Sequence, residues 1–329
     1  MKQRQLGKNG PVVGEIGFGA MSFAGTSGKT DAATSHRTLD VALERGVNFI
    51  DTALIYGPFI SETVIGDYFK KNLGARNRFV VATKGGIVPT PRGVDNSEKY
   101  LTECVHGSLD RLGIDCIDLY YIHRRQFDLP IEDVMATLLK FKQQGKINAI
   151  GFSEISPASL MRASKLGHVA AIQNEYSLWC RLPELGMIQT CKKLGTAFVP
   201  FSPLARGTLS DVVIEVDKLQ PADFRRTLPR FHEPNFSFNM VETEKFKAYA
   251  RAQGWAPASL ALAWVLHQGD HLIPIPGTRT PDHLAINTAG ADIKLTAQNL
   301  AEIEEILPVG FAHGNRYSEA AQASVEIYS

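Results

Sequence analysis

The chain has 329 residues, of which 44% are hydrophobic and 21% charged, so it can bury a large core without disulfides or a metal. Its net charge of +1, without a basic block, argues against a nucleic-acid partner. The first residues lack a signal-peptide pattern and no run reaches the roughly 18 apolar residues of a membrane span, so we expect a cytoplasmic protein without a membrane partner. Four cysteines without CxxC spacing favour buried thiols over bridges or a metal site: Cys104, Cys116, Cys180 and Cys191.

In chain order, residues 2–6 and 11–13 flank the turn 7–10 and predict a β-hairpin. Short β-rich runs then alternate with helical patterns up to about residue 290. The predicted strands are 16–18, 48–50, 79–83, 117–122, 149–152, 170–173, 197–201 and 271–275. The predicted helices are 34–46, 61–73, 97–112, 131–144, 157–166, 185–194, 242–253, 257–267, 281–289 and 296–307. Asp31 is a candidate helix cap, and Gly145 and Gly167 are candidate helix stops.

This alternation is typical of parallel strands joined by helical crossovers. Eight such units follow one another without a linker, which predicts one domain over residues 1–329. We expect an α/β fold, a (β/α)8 TIM barrel with an N-terminal β-hairpin and an extra C-terminal helix. The alternative is a doubly wound open sheet, which usually carries a GxGxxG turn after its first strand. Gly17, Gly19 and Gly25 do not have that spacing.

Four titratable residues follow three successive predicted strands, and such strand ends carry the active site in a barrel of this kind. They are Asp51, Tyr56, Lys84 and His123. A tyrosine has an ordinary pKa of about 10 and donates a proton reluctantly unless a nearby cation stabilises its phenolate. We expect Lys84 to be that cation, Asp51 to hold and neutralise it, and His123 to polarise a carbonyl or relay a proton. Singly, each residue also suits a turn, a core or a rim.

A second set of residues indicates a nucleotide site. The run 275–279 ends the eighth predicted strand and opens a helix, so backbone N–H groups, the Thr278 hydroxyl and the Arg279 guanidinium could converge on a phosphate. Phe201 offers a flat ring beside the turn 202–207, while Ser153 and Gln173 offer neutral groups for an amide. Each feature also has a simpler explanation. The run 275–279 could be an ordinary strand-turn-helix junction, and Phe201 could be a core aromatic. Ser153 could cap a turn, and Gln173 could be a polar residue at the barrel mouth.

The motifs together resemble the aldo-keto reductase superfamily over nearly the whole chain. The matching stretches, in family order, are GFGAMSF, DTALIYG, VVATKGG, DLYYIHR, GFSEIS, IQNEYSLW, FSPLARG, DFRRTLPRF and IPGTR. The sequences of these motifs are most similar to those of the branch with perakine reductase-like and auxin-induced-protein-like members. The resemblance implies a βα barrel and NADPH (NADP+) bound without a Rossmann domain. It also implies a catalytic tetrad formed by Asp51, Tyr56, Lys84 and His123.

The same resemblance assigns the residues that would bind the dinucleotide. Ser153 and Gln173 would hold the carboxamide, and Phe201 would stack on the nicotinamide. The pyrophosphate would lie against Ser202, Leu204 and Gly207, and the adenosine end against Gly277, Thr278, Arg279, His283 and Asn287. Glu154 stands where many members of the family have Asn.

The leading hypothesis is an NADPH-dependent carbonyl reductase of aldehydes or ketones, with Tyr56 as proton donor and the reverse alcohol oxidation also allowed. Its partner would be a small carbonyl or alcohol substrate. The alternative is a cofactor-binding regulatory subunit without significant turnover. Substrate specificity should reside in residues 124–130, 179–183, 206–240 and the tail after 309. Five aromatics suggest an apolar pocket or, equally, core packing: Phe23, Phe59, Phe127, Trp179 and Phe231.

Overall fold

Seven parallel strands form the central sheet of the protein. The structure is a computed structural model that describes residues 1–26, 28, 30–221 and 223–328. Its strands are β1 Gln3–Gln5, β2 Val12–Gly14, β3 Phe18–Gly19, β4 Phe49–Asp51, β5 Val80–Gly85, β6 Ile87–Val88, β7 Gly93–Val94, β8 Ile117–Ile122, β9 Ile147–Ser153, β10 Ala171–Gln173 and β11 Ala197–Phe198. The sheet runs in the order β3, β4, β5, β8, β9, β10 and β11. Consecutive barrel strands are therefore neighbours, as parallel crossovers predict.

Helices connect these strands. They are α1 Ala32–Glu44, α2 Ile60–Lys71, α3 Glu98–Leu112, α4 Ile131–Gln143, α5 Pro157–Ala163, α6 Met187–Leu194, α7 Asn235–Ala252, α8 Pro257–His267, α9 Pro281–Ala289, α10 Ala297–Ile306 and α11 Glu319–Gln322. Asp31 caps α1 by accepting a hydrogen bond from the Thr34 amide, as predicted. Gly145, with φ 70°, follows the end of α4, which confirms that stop. The helix before Gly167 ends at Ala163, so that second stop was wrong.

The segment after α8 closes the ring between β11 and β3. It pairs only through isolated bridges, Phe198 with Leu272 and Gly19 with Gly277, so the regular eighth strand predicted at 271–275 was wrong. The reason is that Pro274 and Pro276 have no N–H group and cannot donate to a ladder. Their carbonyl oxygens still accept hydrogen bonds from the amides of Gly17 (2.9 Å) and Gly19 (3.1 Å). The predicted (β/α)8 barrel is confirmed with this change.

Side chains alternate between the two faces of each strand, and this period of two decides what the barrel interior contains. Phe49, Ala82 and Leu119 belong to the buried cluster inside the barrel, whereas Ile50 and Val81 pack outward against helices. Two positions after Phe49 and Ala82, and four after Leu119, the inward row reaches the carboxyl end of each strand. That row contains Asp51, Lys84, His123, Ser153, Gln173 and Phe201.

The hairpin formed by β1 and β2 is antiparallel, as predicted, and covers the opposite end of the barrel. Leu6 and Val13 pack into the cluster that fills the barrel interior, and the Lys8 amide donates to the Gly195 carbonyl oxygen at 2.7 Å. A second hairpin, β6 with β7, was not predicted and follows Lys84 at the carboxyl end. Nothing in the described part of the chain is a helix long and apolar enough to cross a membrane.

The longest connection is shorter than expected. It was predicted to reach Met240, but α7 already begins at Asn235. The additional helical turns are held by aromatic contacts, which the helical periodicity of the sequence does not predict. Phe236 stacks on Phe231 with ring centroids 5.6 Å apart, and the ring centroids of Phe238 and His313 are 5.2 Å apart. The C-terminal segment, which follows α10 and comprises residues 307–328, thus helps to stabilise the start of α7.

Candidate active site

Lys84 lies at the centre of the candidate site and is completely buried. Its ammonium group donates to a carboxylate oxygen of Asp51, to the Thr52 carbonyl oxygen (2.8 Å) and to the Tyr56 hydroxyl (3.2 Å). Burial alone would lower the pKa of Lys84, but Asp51 and Tyr56 outweigh it and raise that pKa above its usual value. Lys84 therefore remains a cation directly beside the phenol.

Tyr56 reaches this position on a tight turn after β4. The Tyr56 amide donates to the Ala53 carbonyl oxygen at 3.1 Å, and the following Gly57 has φ 78°. A Cβ atom on Gly57 would lie 2.6 Å from that of Ala24, so a larger residue would displace the turn. The local sequence thus fixes the direction of the tyrosine.

Gln173 has a role that the sequence did not reveal. Its side-chain amide donates to the second carboxylate oxygen of Asp51 at 2.7 Å, and both residues are buried. Asp51 therefore has one oxygen on Lys84 and the other on Gln173. This arrangement orients the carboxylate and satisfies it where water does not reach.

His123 completes the group. Its ring is nearly perpendicular to that of Tyr56, at 85°, with centroids 5.8 Å apart. Burial lowers the pKa of His123 well below its ordinary value, and the charges of Arg124, Lys84 and Arg92 lower it further. Its Nδ1 atom is buried without a hydrogen-bond partner among the residues that the structure describes. A neutral imidazole therefore faces the site with unused hydrogen-bonding capacity.

The neighbouring strand ends carry the residues predicted to contact a nicotinamide. Ser153 is buried and accepts a hydrogen bond from Arg124 at 3.2 Å. Phe201 is half-buried, and the Arg206 guanidinium lies 5.5 Å from its ring centre. Ser153, Gln173 and Phe201 thus lie on the same inward row as Asp51, Lys84 and His123.

The turn after Phe201 has an unusual backbone. Ser202, Ala205 and Arg206 have φ angles of 50°, 48° and 60°, and Gly207 has 101°. Three residues other than glycine in this region of φ imply stored strain, and strain of this kind concentrates at ligand sites. Leu204 precedes the short 3-10 turn Ala205–Gly207. The strain fits a turn shaped to contact a ligand through its backbone.

The predicted phosphate run has partly different contacts from those expected. The Thr278 hydroxyl donates to the Thr280 carbonyl oxygen (3.2 Å) and accepts from the Thr280 amide (3.3 Å), so the turn itself occupies it. Thr280, not predicted, caps α9 by accepting from the His283 amide. Gly277 pairs with Gly19, and the Arg279 guanidinium lies against Gly28. Asn287 is buried, and its side-chain nitrogen lacks a partner among the described residues.

Glu154 is buried and is bound by a residue near the C-terminus. It has φ 57°, and its carboxylate binds Arg316 and accepts from the Glu175 amide at 2.8 Å. Burial would raise the pKa of Glu154, but Arg316 outweighs this and lowers it. Arg316 lies 162 residues further along the chain, so no local pattern signals the pair. Glu154 therefore anchors the C-terminal segment.

The five aromatics proposed for an apolar pocket separate into two groups. Phe23, Trp179 and Phe231 are buried, and Trp179 packs against Phe231 with centroids 6.2 Å apart. Phe59 and Phe127 are exposed, and Phe59 covers the Arg111 guanidinium at 4.5 Å. The core-packing alternative therefore holds for the first three.

The chain is similar to known proteins over nearly its whole length. The profile described as the aldo/keto reductase family matches residues 15–308. The chain is 35% identical to aldo-keto reductase yakc [NADP(+)] of Schizosaccharomyces pombe, covering 98% of this chain and 96% of that protein. It is 37% identical to aldo-keto reductase str7 of Strobilurus tenacellus, covering 95% and 94%.

Solved structures show the same fold. The glycerol dehydrogenase AKR11B4 from Gluconobacter oxydans superposes with a TM-score of 0.82 at 26% identity, over 93% of this chain and 94% of that one. The aldo-keto reductase AKR11C1 from Bacillus halodurans, in its holo form, gives 0.73 at 28% identity, over 97% and 99%. These comparisons do not single out the perakine reductase-like branch. The chain belongs to the aldo/keto reductase family of oxidoreductases.

Proposed function

We propose that this protein is an NADPH-dependent carbonyl reductase that converts aldehydes or ketones to alcohols and, in reverse, oxidises alcohols. The observation that carries the proposal is the buried contact of Lys84 with both Asp51 and the Tyr56 hydroxyl, beside a neutral His123. The NADP(+) in the name of the Schizosaccharomyces pombe relative supports the choice of dinucleotide. We also propose that residues 1–329 act as one domain.

The residues present fit such a dinucleotide. The buried amide nitrogen of Asn287, which has no partner among the described residues, and the strained turn 202–207 are groups that a ligand would complete. Ser153 and Gln173 would hold the carboxamide, and Phe201 would face the nicotinamide. Ser202, Leu204 and Gly207 would contact the pyrophosphate, and Gly277, Thr278, Arg279, His283 and Asn287 the adenosine end. When bound, NADPH supplies the hydride that reaches the carbonyl carbon.

The chain itself would manage the proton. Tyr56 donates its hydroxyl proton to the carbonyl oxygen, and Lys84 stabilises the phenolate that remains because its ammonium lies 3.2 Å away. Asp51, oriented by Gln173, keeps Lys84 in place and offsets its charge inside the barrel. His123, being neutral, can donate a hydrogen bond to the carbonyl oxygen without adding a further charge.

Substitution of Tyr56 by Phe tests the proposal. Tyr56→Phe keeps the ring and the Lys84–Asp51 pair but removes the proton donor. We expect turnover of 4-nitrobenzaldehyde to fall by about 10²- to 10⁴-fold, with NADPH binding retained in a fluorescence titration. Near-normal turnover would exclude Tyr56 as the acid. If the unmodified protein binds NADPH yet reduces no aldehyde, it is a cofactor-binding subunit instead.

A further inference from the structure

A buried group of charged side chains joins the C-terminal segment to the strand ends beside the proposed active site. Arg316 binds Glu154 and also Glu175 (3.3 Å), and Arg206 binds Glu175 at the same distance. Arg124 lies at the edge of this group. The guanidinium groups of Arg316 and Arg206 thus pair with the two carboxylates, whereas Arg124 lies beside them without a carboxylate at ion-pair distance among the described residues.

The side chain of Arg124 donates three hydrogen bonds. Its Nη1 atom donates to the His123 carbonyl oxygen (2.6 Å) and to the Ser153 hydroxyl (3.2 Å), and its Nη2 atom donates to the Tyr317 hydroxyl (3.4 Å). These acceptors are all uncharged. Throughout the described ranges, no carboxylate comes within 4.0 Å of this guanidinium, although its neighbour Arg125 pairs with Glu326 at 2.7 Å. Arg124 is only partly buried, so a small molecule can reach it.

The Tyr317 hydroxyl contacts two positively charged guanidinium groups but carries no negative charge itself. Nη2 atoms of both Arg124 and Arg206 lie 3.4 Å from its hydroxyl oxygen. Burial raises the pKa of Tyr317 although the two arginines oppose this, so the hydroxyl is a neutral acceptor between two cations. The Nε atom of Arg206 is buried with no acceptor in the part of the chain described. The cluster therefore has one unused donor in addition to a guanidinium without a carboxylate partner among the described residues.

The proposed dinucleotide does not account for Arg124. Its phosphates are assigned to the turn 202–207 and to residues 277–287, whereas Arg124 adjoins Ser153 and His123, at the carboxamide end. The nicotinamide carries no anionic group and becomes cationic when oxidised. An anion bound at this position would therefore come from another molecule.

We propose that Arg124 binds an acidic group of the substrate, so that the preferred substrates are aldehydes or ketones carrying a carboxylate. The inference rests on the proposed carbonyl reductase function and names its substrate class. Arg124 adjoins the catalytic group through His123, and a planar guanidinium matches a carboxylate with paired hydrogen bonds. Arg124 would thus select and orient the substrate while Tyr56 and His123 act on its carbonyl.

A matched pair of substrates tests this. 4-Carboxybenzaldehyde and its neutral methyl ester, methyl 4-formylbenzoate, have similar shapes, and the ester is intrinsically the more reactive aldehyde. We expect the unmodified enzyme to have the higher kcat/KM for the acid. Arg124→Gln should lower the acid-to-ester ratio of kcat/KM about ten- to a hundredfold, and Arg124→Lys should keep most of it. Arg162→Gln removes one exposed positive charge elsewhere and should leave the ratio unchanged.

Several outcomes would overturn the inference. One is equal kcat/KM for acid and ester in the unmodified enzyme, and another is an unchanged acid-to-ester ratio in Arg124→Gln. A third is a higher KM for NADPH in Arg124→Gln with both aldehydes affected alike, which would assign the Arg124 charge to the dinucleotide. Calorimetric titration of benzoate into the complex with NADP+ gives the same comparison without turnover. Weaker benzoate binding in Arg124→Gln supports the inference even if no aldehyde is reduced, and equal binding contradicts it. Circular dichroism checks that the variants fold.

Discussion

Lys84 illustrates how one residue can combine stability and chemistry. Its charge is enclosed by oxygen atoms of Asp51, Thr52 and Tyr56, and removing one member of a buried ion pair typically costs about 3–5 kcal/mol. Variants of Asp51 or Lys84 would therefore lose stability as well as turnover. Tyr56→Phe leaves the pair intact, which makes it the more informative substitution.

The charge state of His123 leads to a prediction about pH. Because burial and the neighbouring cations lower its pKa, the protonated form should appear only in acid well below the ordinary value of 6.5. We expect no step in kcat/KM near pH 6.5 for 4-nitrobenzaldehyde. The comparison is with His123→Gln, which keeps a hydrogen-bond donor that does not titrate. A step near pH 6.5 that disappears in this variant would contradict a neutral histidine.

Arg279 gives a prediction about dinucleotide choice. The 2′-phosphate of NADPH brings a charge that NADH lacks, and a guanidinium at the start of α9 suits it. Arg279→Ala should weaken NADPH binding roughly ten- to a hundredfold and barely alter NADH binding, as measured by fluorescence titration.

Arg37 supplies the matched control for that titration. It is an exposed arginine on α1, next to Thr38, whose hydroxyl contacts the Arg279 carbonyl oxygen at 3.4 Å. Arg37→Ala should leave both affinities unchanged. Parallel losses of NADPH and NADH in Arg279→Ala would exclude the phosphate contact.

Among the larger elements, the connection between β11 and α7 is folded into turns in its described residues, 199–221 and 223–234. It contains the 3-10 turns Val216–Lys218, Phe224–Thr227 and Pro229–Phe231. Arg225 pairs with Asp223 at 2.7 Å, and Arg230 donates to the carbonyl oxygens of Trp179 and Gly314. Arg230 therefore ties this connection to the C-terminal segment.

The exposed Arg226 in this connection makes it testable by proteolysis. We predict that NADPH slows tryptic cleavage after Arg226, because the segment follows the proposed pyrophosphate turn and should open less when that turn is occupied. Cleavage after Lys71, beside the exposed Leu73, serves as the internal control and should not change. Equal cleavage at Arg226 with and without NADPH would count against the idea.

Local patterns explain which elements could be predicted from the sequence. In β8, Leu119 and Tyr121 face the barrel interior, whereas Tyr120 and Ile122 pack outward. A period of two at the strand ends is enough to predict Asp51, Lys84 and His123 on one rim. The start of α7 was mispredicted because aromatic contacts determine it. The strand at 271–275 was mispredicted because Pro274 and Pro276 prevent a regular ladder. Glu154 with Arg316 and Gln173 with Asp51 are pairs distant in sequence, which a single sequence does not reveal.

At the scale of the whole molecule, the C-terminal segment is held to the barrel by Glu326. Its carboxylate accepts from Arg125 (2.7 Å), the Ser156 amide (2.8 Å) and the Ser159 hydroxyl (2.9 Å). Burial would raise the pKa of Glu326, but these donors outweigh it and lower that pKa below the ordinary 4.5. A lowered pKa in the folded state stabilises the protein above the ordinary value, and the stabilisation is lost as the pH falls further.

Glu326→Gln should therefore reduce the free energy of unfolding at pH 7 by about 1.5–3 kcal/mol. The difference from the unmodified protein should shrink as the pH falls below about 4.5, where both side chains become uncharged. Denaturant unfolding at pH 7, 5, 4 and 3 measures it. Glu305→Gln, an exposed change on α10, is the control. A difference that does not depend on pH would show that the carboxylate charge is not what holds the segment.

The prolines that close the barrel have a consequence for its dynamics. Along the seam between β3 and residues 274–276, Gly17 and Gly19 donate hydrogen bonds, but Pro274 and Pro276 cannot return any. The ring should therefore part first at this seam, where residues from the two ends of the chain meet. Ser22 and Thr278 lie on opposite sides of it, joined by a hydrogen bond, and the proposed adenosine site adjoins Thr278. A bound dinucleotide would then hold the two sides of this seam together. Slower hydrogen exchange of the Gly17 and Gly19 amides with the dinucleotide than without it would reveal this effect.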